Sequence, residues 1–146
     1  GADLRGADLS GADLRGVDLR GAKGINKYLT TPIYILLEQS ESIRAYKIVN
    51  EKNEGIYNGG LSYHLNQHVE VVDYDSDEQN QCGKGINLAS LDWCIREWKS
   101  GYKILVCEFH REDIVCIPIN SDGKFRVKAC TPIKELNLVD YGIEEK

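Results

Sequence analysis

The chain has no methionine, no CxxC pair and no long apolar run. Because no apolar run approaches about 18 residues, a transmembrane helix is excluded. The cysteines are Cys82, Cys94, Cys107, Cys116 and Cys130, an odd count with three of them in apolar, strand-like runs. Such spacing speaks against a disulfide framework and against clustered zinc ligands, and fits buried free thiols in a reducing cytoplasm. Standard catalytic signatures are missing as well: there is no P-loop, no GxSxG, no HExxH and no Rossmann glycine pattern behind a strand. Positive charge is in deficit, with 18 Lys and Arg against 23 Asp and Glu and a net charge of −5. That balance argues against a general nucleic-acid binder. No signal peptide is visible.

What the 146 residues do provide is room for one compact domain and a short repeat, with 42% hydrophobic residues to build a core. The repeat opens the chain. Gly1-Ala2-Asp3-Leu4-Arg5 returns as Gly6-Ala7-Asp8-Leu9-Ser10, Gly11-Ala12-Asp13-Leu14-Arg15 and Gly16-Val17-Asp18-Leu19-Arg20, then fades at Gly21-Ala22-Lys23-Gly24. A period of five fits neither a helix nor a simple strand, so it signals a repeat architecture. A square coil accounts for it. Each unit forms one side, Leu and the small residue two before it point inward, and Asp and Arg point to water. Four sides make about one coil, with coils stacked roughly 4.8 Å apart.

This pattern resembles the pentapeptide-repeat family, A(D/N)LXX, whose fold is a right-handed quadrilateral β-helix. One coil exposes its inner ladder of Leu4, Leu9, Leu14 and Leu19 at both ends, and solenoid repeats bury apolar faces only against neighbours. The ladder therefore implies assembly, a homo-oligomer stacked through the repeat. The absence of Met and the in-phase start point to a fragment or trimmed product of a longer helix; otherwise the lone coil must stack on another chain. Members that inhibit topoisomerase are thought to mimic DNA with an acidic rod. Here four Asp are balanced by three Arg and Lys23, so the net charge resides in the later domain and DNA mimicry is not expected.

The expected organisation is a coil over 1–24, a linker or short element over 25–42, an α+β domain over 43–138 and a tail over 139–146. Thr30-Thr31-Pro32 marks a break, and Ile33–Gln39 reads as a short helix or strand. Alternation predicts strands over Ile43–Asn50 and His68–Tyr74, and again over Tyr102–Phe109, Asp113–Ile119 and Lys124–Cys130. The last two are joined by Asn120-Ser-Asp-Gly123, an Asp-Gly hairpin signal. One helix is clear: Ser90 can cap it, Leu91, Cys94, Ile95 and Trp98 form its apolar stripe, and Gly101 ends it. Trp93 falls off that stripe. Many strands and one clear helix predict an α+β domain built mainly on an antiparallel sheet.

Two metal patterns fail on inspection. His64 and His68 have the spacing of a helical pair, but Gly59-Gly60 before them and the β-rich Val69–Val72 after them oppose a helix. Asp73, Asp75 and Asp77 begin like a calcium loop, yet Glu78 replaces the turn glycine and Lys84 the bidentate Glu. Surface histidines, a solvated loop over 73–81, no metal and no cofactor are expected.

The string Cys82-Gly-Lys-Gly85-Ile-Asn87-Leu-Ala-Ser90, then Asp113-Ile-Val-Cys-Ile-Pro118 and Lys124-Phe-Arg126, is similar to a small domain found behind pentapeptide repeats in uncharacterised phage and viral proteins. It also resembles a domain of the phage rapid-lysis rIIB-like proteins, over most of residues 43–136. That pattern carries His where this chain has Asn87; if that His does chemistry in relatives, this chain has lost a general base. The resemblance implies an interaction module acting in the cytoplasm of an infected or lysogenic host cell. The repeat would serve assembly and the α+β domain would bind a host component and so inhibit a defence pathway.

An alternative is a binder that sequesters or senses a nucleotide. Gly83-Lys84-Gly85 can present backbone N–H groups and an ammonium to a phosphate, though a tight turn entering a strand is the preferred reading of it. Lys124 and Arg126 share one strand face, where a basic pair meets an anion or simply water. Lys84, Asn87, Arg126, Lys124 and Trp93 are the ligand-binding candidates of this reading. A third possibility follows from likeness to ADP-ribosyltransferase-like folds: Arg44 or His64, Ser90, and Glu108 or Glu135 would be its residues. No catalytic residue is assigned by spacing, and an enzyme is not the first expectation.

Overall fold

The computed structural model describes residues 39, 42–57, 60–118 and 121–144. The repeat with Leu4, Leu9, Leu14 and Leu19, the Thr30-Thr31-Pro32 break, nearly all of Ile33–Gln39, and Ile119 and Asn120 lie outside the described residues. Seven strands follow in chain order: β1 (Ser42–Val49), β2 (Val69–Glu70), β3 (Ile86–Ala89), β4 (Lys103–His110), β5 (Ile114–Cys116), β6 (Lys124–Val127) and β7 (Ala129–Glu135). Among the described residues one α-helix, α1 (Leu91–Glu97), joins β3 to β4. They form one sheet in the order β2-β7-β4-β1-β3-β6-β5, and every pairing is antiparallel.

The alternation that marks these segments also sorts their side chains. Ile43, Ala45 and Val49 of β1, Ile86 and Leu88 of β3, and Phe125 and Val127 of β6 are buried in one cluster, which Tyr63 also enters. Phe109 and Phe125 pack within it, their ring centroids 5.5 Å apart. β6 and β7 are separated only by Lys128, yet they lie second from opposite ends of the sheet order. A flat sheet cannot accommodate that. The run must bend at Lys128 and the sheet must curl, which places this first cluster inside the curve.

A second cluster lies on the other face under α1, where Ile48, Ala89, Ile104, Val106 and Leu136 meet Trp93 and Cys94. Leu138 and Ile143, from the C-terminal stretch, pack against it. Of the expected helix stripe, Cys94 is buried in this cluster and Leu91 and Trp98 pack against it, while Ile95 departs from it and Trp93, expected off the stripe, joins the cluster. The helix ends after seven residues, Ile95 is 41% exposed, and Trp93 is buried at 8%. A helix this short presents barely two turns, and its docking is decided by Trp93, whose ring meets Tyr57 edge-on at 6.3 Å. Ser90 is the N-cap, but its hydroxyl makes no capping hydrogen bond.

The strand edges also shift. Asp113 belongs to a 3-10 turn (Arg111–Asp113) ahead of β5, not to the strand. The strand expected over His68–Tyr74 shrinks to Val69–Glu70, because β2 finds only the start of β7 as partner. The Lys124–Cys130 run divides at Lys128 and continues to Glu135 against β4.

Candidate functional site

Residue alternation on β6 sends Phe125 and Val127 into the interior and Lys124 and Arg126 to the opposite face. Antiparallel register places Asn87 of β3 against Arg126 and Ala89 against Lys124. This basic face is not solvated, contrary to the simpler expectation: Arg126 is 0% exposed and Lys124 is 6%. The loop over 73–85 covers it. All three guanidinium nitrogens of Arg126 donate into this cover or its support, Nη1 to the Asp75 carbonyl, Nη2 to the Asn80 carbonyl at 2.6 Å and Nε to Asn87 Oδ1 at 3.3 Å. The Asn87 amide in turn donates to the Gly83 carbonyl at 3.0 Å.

The loop is ordered from within by its aspartates. Asp75 and Asp77 each accept the backbone N–H two residues on, at 2.8 and 2.9 Å, as short Asx turns do. The N–H of Asp77 and the Asn80 amide hold the Asp75 carboxyl below the ordinary carboxylate value. Lys84 lies on the exposed outside and pairs with Asp73 at 2.8 Å, which raises its pKa. The acidic stretch is therefore a clamped cover, with Arg126 as its central pin.

Beside this clamp, β1 and β3 share a single register pair, Tyr46 with Ala89, and then part. Lys47 reaches across the gap, its ammonium 2.8 Å from the Asn87 carbonyl and 5.0 Å above the Tyr63 ring. Burial lowers the Lys47 pKa, because a desolvated ammonium favours its neutral form. The pocket at this seam is lined by Tyr46, Lys47, Asn87, Trp93, Cys94, Lys124 and Cys82, among others, and its volume is about 20 Å³. That holds about one water; ligand pockets are typically about 300–1,000 Å³. Lys124 ends there, 2.6 Å from the sulfur of Cys82 and 5.8 Å from the Trp93 ring centroid.

The five ligand candidates are thus partly gathered. Asn87, Arg126, Lys124 and Trp93 share this face, whereas Lys84 turns outward to Asp73. Gathering them makes a clamp rather than an open anion cradle, because Arg126 and Asn87 bind the protein's own carbonyls. Of the residues named for ADP-ribosyl transfer, Arg44 and Glu108 meet as a cross-strand ion pair at 3.4 Å. The Ser90 hydroxyl is buried without a hydrogen-bond partner, and His64 and Glu135 are exposed on separate elements. His68 contacts Thr131 Oγ1 at 3.1 Å, and no group of potential metal ligands occurs among the described residues.

Sequence reasoning missed Asp75 and Asn80 as partners of Arg126, Lys47 as the bridge of the seam, and Cys82 as partner of Lys124. The one available signal was the Gly83-Lys84-Gly85 turn, which brings the chain back over β3. A separate groove of about 550 Å³, lined by Tyr102, Lys103, Glu135 and Leu136–Val139, contains only Glu135 of the candidates. No helix among the described residues is long and apolar enough to cross a membrane.

No curated protein and no solved structure matches the chain. A family model does: residues 1–23 match pentapeptide repeats (8 copies), so the chain carries pentapeptide repeats ahead of its antiparallel α+β sheet.

Proposed function

We propose that the chain is a non-enzymatic interaction module of phage or prophage type. In this reading the pentapeptide repeats hold copies together and the α+β domain binds a host protein in the host cytoplasm, inhibiting a defence pathway. The phage association rests on the likeness of Cys82–Ser90, Asp113–Pro118 and Lys124–Arg126 to phage domains. One observation favours a protein partner over a nucleotide: of the cations nominated to grip a phosphate, Arg126 and Lys124 are buried inside the domain and Lys84 is paired with Asp73 on its surface. Arg126 donates to Asp75, Asn80 and Asn87, and the adjoining pocket has a volume of about 20 Å³. With the Lys124 and Arg126 face covered by the 73–85 loop, the domain offers partners its outer surface instead.

The test is native mass spectrometry of protein purified gently from cells, with a denatured control. An oligomer without adduct supports the module, and a species carrying a few hundred extra daltons makes nucleotide sequestration the better reading. Light scattering of a Leu9→Asp, Leu14→Asp double variant tests the assembly role. A smaller oligomer with the α+β domain still folded is expected, and an unchanged oligomer removes the repeat from that role.

A further inference from the structure

We propose that Cys82 and Lys124 are a peroxide-driven cross-linking pair that covalently staples the 73–85 loop to β6. Among the five cysteines Cys82 is exposed, while Cys94, Cys107, Cys116 and Cys130 are buried. The sulfur that an oxidant reaches most readily is thus the one with a lysine beside it. Lys124 is 6% exposed, and its nitrogen stands 2.6 Å from the sulfur. Even N–H···O bonds run about 2.7–3.2 Å, and sulfur is larger than oxygen, so this contact is tighter than a hydrogen bond between these atoms requires. No carboxylate among the described residues pairs with Lys124; its other close neighbour is the Trp93 ring. The nitrogen is already at attacking distance from the sulfur, and burial restricts its alternatives.

The chemistry balances with one hydrogen peroxide. The Cys82 sulfur attacks a peroxide oxygen, the O–O bond breaks, and the thiol proton leaves with the departing hydroxide as water, giving a sulfenic acid. Lys124, after passing one ammonium proton to solvent, attacks the sulfenic sulfur. The S–N bond forms, the S–O bond breaks, and the hydroxide leaves as a second water with one amine proton. Thiol, amine and peroxide yield a sulfenamide and two waters. Sulfur is oxidised by two electrons, peroxide is reduced by two, and the chain loses two hydrogens. Thiols reverse the bond by attacking its sulfur. The link joins the loop to the strand whose Arg126 already pins that loop, so closure is an extension of the existing clamp.

The test is a peroxide titration of the full chain, followed by intact mass and tryptic mapping under denaturing conditions. Wild type is expected to lose two hydrogens, to yield a peptide joining Cys82 to Lys124, to resist cleavage after Lys124, and to revert with dithiothreitol. Lys124→Met should instead accumulate Cys82 oxygen adducts. Because burial makes that variant vulnerable, wild type alkylated at Cys82 before peroxide serves as a second control, and it should give no linked peptide. Oxygen adducts on wild-type Cys82 with Lys124 still cleaved overturn the proposal. So does a two-hydrogen loss that survives alkylation of Cys82.

Discussion

Asn87 and Arg126 face each other across β3 and β6, and Arg126 Nε donates to Asn87 Oδ1 at 3.3 Å while its other nitrogens hold the carbonyls of Asp75 and Asn80. One fully buried cation thus ties two strands to a loop that precedes β6 by some 45 residues of chain. Arg126→Met preserves much of the volume but strands those acceptors against an apolar chain. Losses of about 3–5 kcal/mol are expected, since unpaired buried acceptors and lost charged hydrogen bonds both count. Urea denaturation measures this, and limited proteolysis should show new cuts within 73–83. An unchanged midpoint would mean that the clamp does not stabilise the fold. The same coupling means that a loss of ligand binding in an Arg126 variant cannot be separated from loss of structure.

How much of this was legible depended on the range of the interaction. The pentapeptide repeats could be read directly because their period is five residues and wholly local. The strands over Ile43–Asn50 and Tyr102–Phe109 agree with β1 and β4 to within a residue, because alternation is local too. The fate of Lys124 and Arg126 was not legible. Two basic residues alternating on a strand look like a solvated face, and only the arrival of Asp75, Asn80 and Cys82 from far along the chain reverses that. Trp93 was misjudged for the same reason, since Tyr57 and Lys124 bury it from outside its own helix.

Gly83 lies where the loop passes closest to the clamp. A Cβ there would stand 2.7 Å from Asp75 Oδ2, 2.8 Å from Asp75 Cβ and 2.9 Å from Arg126 Cζ. Gly83→Ala is expected to destabilise the protein by about 1–3 kcal/mol, the usual range for overpacking. It should also be non-additive with Arg126→Met, because both release the same loop. A double-mutant cycle in urea checks this, and simple additivity would show that the two residues act on different structures.

Ser90 behaves differently from an ordinary helix cap. Its backbone N–H is held by the Gly123 carbonyl at 2.9 Å, while its hydroxyl is buried and has no partner. The side chain already crowds Gly123, where a Cβ would come within 2.3 Å of Ser90 Oγ. Removing a working cap costs about 1 kcal/mol, whereas removing an unpaired buried hydroxyl relieves a desolvation penalty. Ser90→Ala should therefore leave the thermal midpoint unchanged or raise it. A clear fall would restore Ser90 to the capping role that the sequence suggests.

Alkaline pH should weaken the fold through its buried thiols. Burial pushes Cys94 from 9.0 up to about 12 and Cys116 to about 11, and Cys107, beside Cys130, is raised as well. Above pH 9 the unfolded chain releases these protons while the folded chain retains them, so stability falls as pH rises. Lys47 acts in the opposite sense. Its folded pKa is depressed, so the unfolded chain holds the extra proton and stability gains as pH climbs toward 10.5, the ordinary lysine value. Three thiols outweigh one amine, and net loss is expected between pH 9 and 10.5. Cys94 can be isolated by comparing wild type with Cys94→Ala. The variant is less stable at neutral pH because a fully buried side chain is lost, but that deficit should shrink by about 1.4 kcal/mol between pH 8 and pH 10, one pKa unit of linkage. Urea melts at the two pH values, under a reducing agent, measure the change. A deficit independent of pH would show that Cys94 ionises as easily in the folded chain as in the unfolded one.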